Sequence, residues 1–254
     1  MFLEERYEHI LNLLSKNGKV LVKDLSQEFN ISESMIRKDL KVLEKKNLLQ
    51  RTYGGAISVV KRPVDIESFN TRVIKNIDLK NIVAQKAFEQ IQRNDTVFLD
   101  ASSTSYMIAK LIVENDKEIT LITNMYKIAS LISMESKVKL IFIGGDYHPI
   151  VGGSIGSHAI TQIENYHCNK AFIGCSGVNL KTGFVSTSLS EDAATKKVIM
   201  SISDELFLIM LNEKFEISST FNFSNLEDFN FVITEATPHN MILDLIKNYY
   251  VNII

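Results

Sequence analysis

Apolar and polar positions alternate with a helical period at the start of the chain and give way to short solid apolar runs further on. Residues 3–16 place Ile10, Leu11, Leu13 and Leu14 on one face of an amphipathic helix, which Asn17-Gly18 stops. Residues 22–29 read as a second short helix with Leu25 and Phe29 inward, and Asn30 is a turn. Residues 33–45 form a third. At about 100° per residue, Ile36, Leu40 and Leu43 fall on its back. Ser34, Arg37, Lys38, Lys41 and Lys45 gather within roughly 60° on its front. Ser32 is placed to cap the start of this helix, and Asn47 to close it in a left-handed conformation. Residues 48–51 and 56–60 are apolar-rich and straddle Thr52-Tyr53-Gly54-Gly55, which predicts a two-stranded wing with a glycine turn. Helix, helix, tight turn, helix is the helix-turn-helix order, with the last helix as reader.

Residues 58–70, with Lys61, Arg62 and Pro63, interrupt the pattern as a linker. A helical pattern resumes over 68–93. The period then changes. Residues 96–99, 119–122, 138–143, 170–173, 206–211 and 229–233 are nearly continuous apolar runs, as expected of strands buried on both faces. Helical stretches lie between several of them, at 105–114, 126–134, 156–166 and 191–203. Alternating strand and helix predicts a mostly parallel sheet covered on both sides. The closing stretch, 240–250, is amphipathic and suited to covering the sheet.

The expected organisation is thus a winged helix-turn-helix over 1–57, a linker and the start of a connecting helix over 58–74, a larger α/β domain over 75–235, and a C-terminal helix and tail over 236–254. At 254 residues the chain has ample material for both cores. Residues 1–57 hold 10 Lys+Arg against 8 Asp+Glu, while the remainder holds 18 against 22. A weakly positive head on an acidic body fits a DNA module tethered to something else. No apolar run reaches membrane-span length, and the first residues are too polar for a signal peptide. The two cysteines, Cys168 and Cys175, have no metal-like spacing and are expected to be reduced thiols in a cytosolic core.

Two clusters carry candidate chemistry. The front of the third helix fits the major groove, where Arg and Lys donate to guanine acceptors or phosphates and Ser to either. Arg51 on the wing is placed to reach a phosphate or the minor groove. The second cluster follows from the rule that ligands of open parallel sheets sit beyond the carboxyl ends of the strands. The first long strand runs through Asp100, Ser102, Ser103 and Thr104 straight into a helix, and hydroxyls with free N–H groups at a helix start make an anion site suited to phosphate. Thr123, Asn124, Gly144, Gly145 and Gly177 stand at other strand ends, and Glu191, Lys196 and Lys214 can supply charge.

Ser32, the run from Ile36 to Leu40, Leu43-Glu44 and the run from Arg51 to Ala56 resemble the signature of the DeoR family of bacterial transcriptional repressors. That resemblance adds Met35, Tyr53, Gly54 and Gly55 to the DNA-binding set. Met35 stands where the family usually has Thr, Lys38 where it has a second Arg, and Tyr53 where it has His. The second half is similar to the family's sensor domain through Phe98-Leu99-Asp100, Ser102 to Thr104, Ile122 to Asn124, Gly144-Gly145, Gly156, Ala171 to Gly174 and Lys214-Phe215. Glu213 stands where the family has Ser. The resemblance implies a fold similar to ribose-5-phosphate isomerase that binds a phosphorylated sugar without converting it. It also implies a cytoplasmic bacterial regulator, nucleoid-associated when bound, whose partner is double-stranded operator DNA and whose effector is a sugar phosphate. No catalytic residue, cofactor or metal is expected. Half-site geometry predicts a homodimer or homotetramer. The competing reading is a phosphosugar isomerase with an accessory DNA-like module, for which Asp100 and Glu191 are the available bases.

Overall fold

A computed structural model describes residues 3–45, 48–57, 67–215 and 217–254. The chain divides into two compact units, Met1–Lys61 and Arg62–Ile254. The expected Asn47 cap, the Lys45 side chain and most of the 58–70 linker lie outside what is described.

The first unit runs α1 (Leu3–Asn17), β1 (Lys19–Leu21), α2 (Val22–Phe29), α3 (Glu33–Lys45), β2 (Gln50–Thr52) and β3 (Gly55–Ile57). Asn30 takes the left-handed conformation (φ 51°, ψ 47°) and ends α2. Ser26 ties the turn by donating from Oγ to the Ile31 carbonyl at 2.6 Å. Ile10, Leu14, Leu25, Ile36, Leu40, Leu43 and Leu49 form the small core. The wing has three strands, not two, in the order β1-β3-β2. Its extra strand has a single inward residue, Val20, opposite Ala56, too short a signal to register as a strand period. Gly55 sits against that strand so closely that a Cβ would overlap the Val20 carbonyl, so only glycine allows the pairing.

The second unit begins with α4 (Phe69–Ile74) and α5 (Ile77–Glu89). The expected single helical stretch is broken at Lys75-Asn76, where Asn76 has φ 51°. There follow β4 (Thr96–Leu99), α6 (Ser103–Glu114), β5 (Thr120–Thr123), α7 (Tyr126–Ala129), β6 (Lys139–Phe142), the hairpin β7 (Tyr147–His148) and β8 (Gly153–Ser154), α8 (Ser157–Ile163) and β9 (Cys168–Gly174). The chain continues through β10 (Gly177–Val178), β11 (Phe184–Thr187), α9 (Ser190–Ser201), β12 (Ser203–Ile209), β13 (Phe221–Asn225), β14 (Phe231–Ile233), α10 (Asn240–Ile246) and β15 (Asn252–Ile253).

The main sheet has seven strands in the order β15-β14-β12-β9-β4-β5-β6, every pair parallel. Each of the six apolar runs contributes one of its strands. Their side chains alternate between two cores: Val97, Leu99 and Phe172 pack on one face, Phe98, Ala171 and Ile173 on the other. The chain lays down β4, β5 and β6 in one direction, then crosses back to β9 and continues the other way. The topological switch point therefore falls between β4 and β9. A small antiparallel sheet, β10-β11-β13, stands beside it. Its strands are short and mix apolar with polar residues, and the sequence pattern did not announce them.

Candidate functional site

On α3, Ile36, Leu40 and Leu43 are buried while Ser34, Met35, Arg37, Lys38 and Lys41 are exposed. The Ser32 Oγ accepts the Met35 N–H at 3.3 Å, which caps the helix. Asp39, inside the basic run, points inward. It accepts from the Arg6 Nε at 2.7 Å and Nη2 at 3.3 Å, fastening α1 to α3. Arg37 rests on Glu33 at 3.0 Å. An exposed i,i+4 pair of this kind is worth only about 0.3–0.5 kcal/mol, so it holds the guanidinium extended and releases it at little cost. Arg51 is engaged too: its N–H and its Nε donate to the two oxygens of Glu44 at 2.9 and 2.8 Å. Those bonds hold the Glu44 carboxyl below its ordinary range and tie the wing to the reading helix. Tyr53 and Gly54 form an exposed wing tip.

In the second unit a cleft of about 140 Å³ opens at the switch point. Its floor is built on Asp100, which is 1% exposed. The carboxylate accepts from the Ser105 Oγ at 2.7 Å and the Gly174 N–H at 2.8 Å, and receives the Lys196 ammonium. Lys196 also faces Asp192 at 3.7 Å. Burial works against its charge, but Asp100 and Asp192 outweigh that and raise its pKa above the ordinary lysine value. Ser102 caps α6, its Oγ accepting the Ser105 N–H at 3.1 Å. Gly174 lets β9 approach that cap, since a Cβ there would meet the Ser102 Cβ at 2.7 Å. The hydroxyls of Ser103 and Thr104, on the first turn of α6, line the cleft and have no partner among the described residues. A helix start with idle hydroxyls and cations in the same cleft lining is suited to an anion.

Of the expected ligand residues, the fold gathers Ser102, Ser103, Thr104, Lys196 and Lys214 around this cleft, with Asp100 beneath them. It does not gather the rest. Thr123 donates to the Leu99 carbonyl, and Asn124 to that of Ser154. Gly144 donates its N–H to Gln162, and Gly145 lies against Ala159 on α8. The hairpin β7–β8 and α8 thus occupy the carboxyl ends of β5 and β6. Gly177 is squeezed against the Ile217 backbone, and Glu191 is exposed outside the cleft beside Ser190. Both cysteines are free thiols. Burial pushes Cys175, at the cleft wall, up to about 11, so it stays protonated.

Among the cleft residues that sequence reasoning missed are Arg72 and Lys80. Arg72 lies in the last turn of α4 and donates to the Ile150 and Val151 carbonyls at 3.3 and 2.9 Å. Lys80, on α5, donates to the carbonyls of Arg72 and Lys75. Neither has a carboxylate partner among the described residues. Burial first, then the charges of Lys214 and Arg72, push Lys80 down to about 8. A free lysine titrates near 10.4, so between about pH 8 and 10.4 the unfolded chain binds more protons and stability should rise with pH. Urea denaturation across that window should show the rise in wild type and lose it in Lys80→Met; parallel curves would refute it.

A winged helix with a basic reading face and an α/β unit with a cleft at its switch point define a two-part DNA-binding transcriptional regulator. Residues 6–62 match the DeoR-like helix-turn-helix domain, and residues 75–236 the DeoR C terminal sensor domain. The chain belongs to the DeoR family of transcriptional regulators. Among similar proteins, the L-fucose operon activator of Haemophilus influenzae is 34% identical over 93% of this chain and 94% of its own length. The HTH-type transcriptional regulator YulB of Bacillus subtilis is 31% identical over 93% and 90%. The glycerol-3-phosphate regulon repressor of Escherichia coli K12 is 25% identical over 98% and 97%. Among solved structures, ribose 5-phosphate isomerase A of Methanocaldococcus jannaschii is similar over 55% of each chain, with 18% identity and a TM-score of 0.40. Among the described residues no helix is long and apolar enough to cross a membrane.

Proposed function

We propose that this regulator represses a sugar-metabolism operon and that a phosphorylated sugar or related metabolite, bound in the cleft, lowers its affinity for the operator. The observation that carries the reading is the cleft itself: idle Ser103 and Thr104 hydroxyls at a helix start, sharing the lining with Lys214, at the switch point of a parallel sheet. The relatives' roles in sugar and glycerol-phosphate regulons support the chemical class. The setting of Asp100 supports binding without conversion. Three donors already hold its carboxylate, which leaves it poorly placed to take a carbon-bound proton. The protein acts in the bacterial cytoplasm, at the nucleoid when bound. One winged helix covers a short half-site, so we infer a homodimer or homotetramer on a paired operator.

On the DNA side, Arg37 reads a base, Lys38 and Lys41 meet phosphates, and Ser34 donates to either. Arg37→Ala should cost about 1–3 kcal/mol on the operator and relax its sequence preference. Lys41→Ala should weaken operator and random duplex alike and flatten the dependence on salt. Unchanged operator affinity in Arg37→Ala would overturn the assignment.

A further inference from the structure

Helix α4 packs Phe69 and Val73 on the core of the second unit and is fastened there by polar contacts as well. Phe69 is buried, edge-on to Tyr106 with ring centroids 5.8 Å apart, and its N–H donates to the Ile150 carbonyl at 3.0 Å. Two further fastenings are cationic. Arg72 grips the turn between β7 and β8 through the Ile150 and Val151 carbonyls. Lys80 reaches back from α5 to the carbonyls of Arg72 and Lys75 at the C-terminal end of α4, satisfying acceptors that a helix end leaves open. Both side chains line the cleft, as does Lys214, whose charge acts on Lys80. By contrast Lys75 is paired with Glu67 at 2.9 Å and Lys196 with Asp100. The two cations that hold α4 thus have neutral carbonyls as their hydrogen-bond partners; Lys214 and Arg72 crowd Lys80, while Asp192, Asp100 and Glu67 act on Arg72, and Glu213 and Glu67 on Lys80, from further off.

We propose that Arg72 and Lys80 are a clasp with two uses: they hold α4 in place when the cleft is empty, and they bind the anionic group of a ligand when it is filled. A phosphate dianion brings a full opposite charge that a neutral carbonyl lacks and can take a guanidinium in bidentate fashion, and it relieves the repulsion that Lys80 feels from Lys214 and Arg72. Drawn to the anion, Arg72 lets go of the β7–β8 turn and Lys80 uncovers the end of α4. This helix is the first described element after residues 58–66, which connect to the DNA-binding unit. Its release is therefore the change that carries the ligand signal toward the DNA, and the differential affinity of the anion for the released state sets the coupling. The proposal rests on the reading of the cleft as an anion site and adds which residues report its filling.

Hydrogen exchange of the full chain with and without inorganic phosphate, at matched ionic strength in chloride, tests it. Phosphate should slow exchange at the first turn of α6 and speed it over residues 69–76, by about fivefold for each hydrogen bond released. In Lys80→Met, α4 should exchange fast from the start and gain nothing from phosphate, whereas Lys80→Arg should restore the response. Protection at α6 with no change or a slowing at α4 in wild type would overturn the clasp while leaving the anion site standing. No phosphate effect at either helix would remove the anion site, and the clasp with it.

Discussion

Lys196→Met is expected to destabilise the α/β unit by about 3–5 kcal/mol, the usual cost of removing one partner from a buried ion pair. The side chains of Lys196 and Asp100 are only 5% and 1% exposed. Methionine keeps the aliphatic stem but leaves the Asp100 carboxylate charged and held only by the Ser105 hydroxyl and the Gly174 N–H. The urea midpoint should fall at nearly constant slope. Adding Asp100→Asn should recover part of the loss, because the amide no longer brings an unpaired charge into the core. A single variant within about 0.5 kcal/mol of wild type, the range of an ordinary surface change, would show that the pair does not hold the floor of the cleft together.

The second large effect is expected in the DNA-binding unit. Arg6 and Asp39 are nearly buried, with 11% and 4% of their side chains exposed. Because α1 reaches α3 through this bidentate pair, Arg6→Ala should cost about 3 kcal/mol, the low end of the range for a pair close to the surface. The core of this unit is small, so that loss is a large part of its stability. The unit should melt earlier than the rest of the chain, and operator binding should disappear at the same temperature. Operator binding that survives while the α3 amides stay protected would contradict a structural role for Asp39.

These two residues illustrate what the sequence could and could not disclose. The third helix was legible because its apolar back keeps the helical period and Ser32 and Asn30 mark its approach. Within its basic run, however, Asp39 looks like one more surface charge. Only the packing of α1 turns it inward. The parallel sheet was legible because strands buried on both faces read as solid apolar runs. Strands of only two or three residues, such as β1, β10 and β15, carry no period to detect. In the cleft, Ser102 to Thr104 were legible as a hydroxyl-rich helix start, and Lys196 and Lys214 as cations after strand ends. Arg72 and Lys80 were not, since polar positions on a helical pattern read as solvated. Lys80 is buried because the chain breaks at Asn76 and folds α5 back over the carbonyls of α4. Thr123, Asn124, Gly144 and Gly145 stand at strand ends as expected, but the β7–β8 hairpin and α8 cover those ends, which no local pattern reveals.

The central claim is that a phosphorylated metabolite in this cleft controls operator binding. The direct measurement is operator affinity titrated with a panel of sugar phosphates, for wild type and for Ser103→Ala/Thr104→Ala. At least one compound should weaken wild-type binding by roughly 5–150-fold, the range of ordinary allosteric couplings. The double variant should bind operator as wild type does and ignore that compound, because it lacks the two hydroxyls at the start of α6 and keeps the reading helix intact. A double variant that responds like wild type, or a wild-type protein indifferent to the whole panel, would contradict the account.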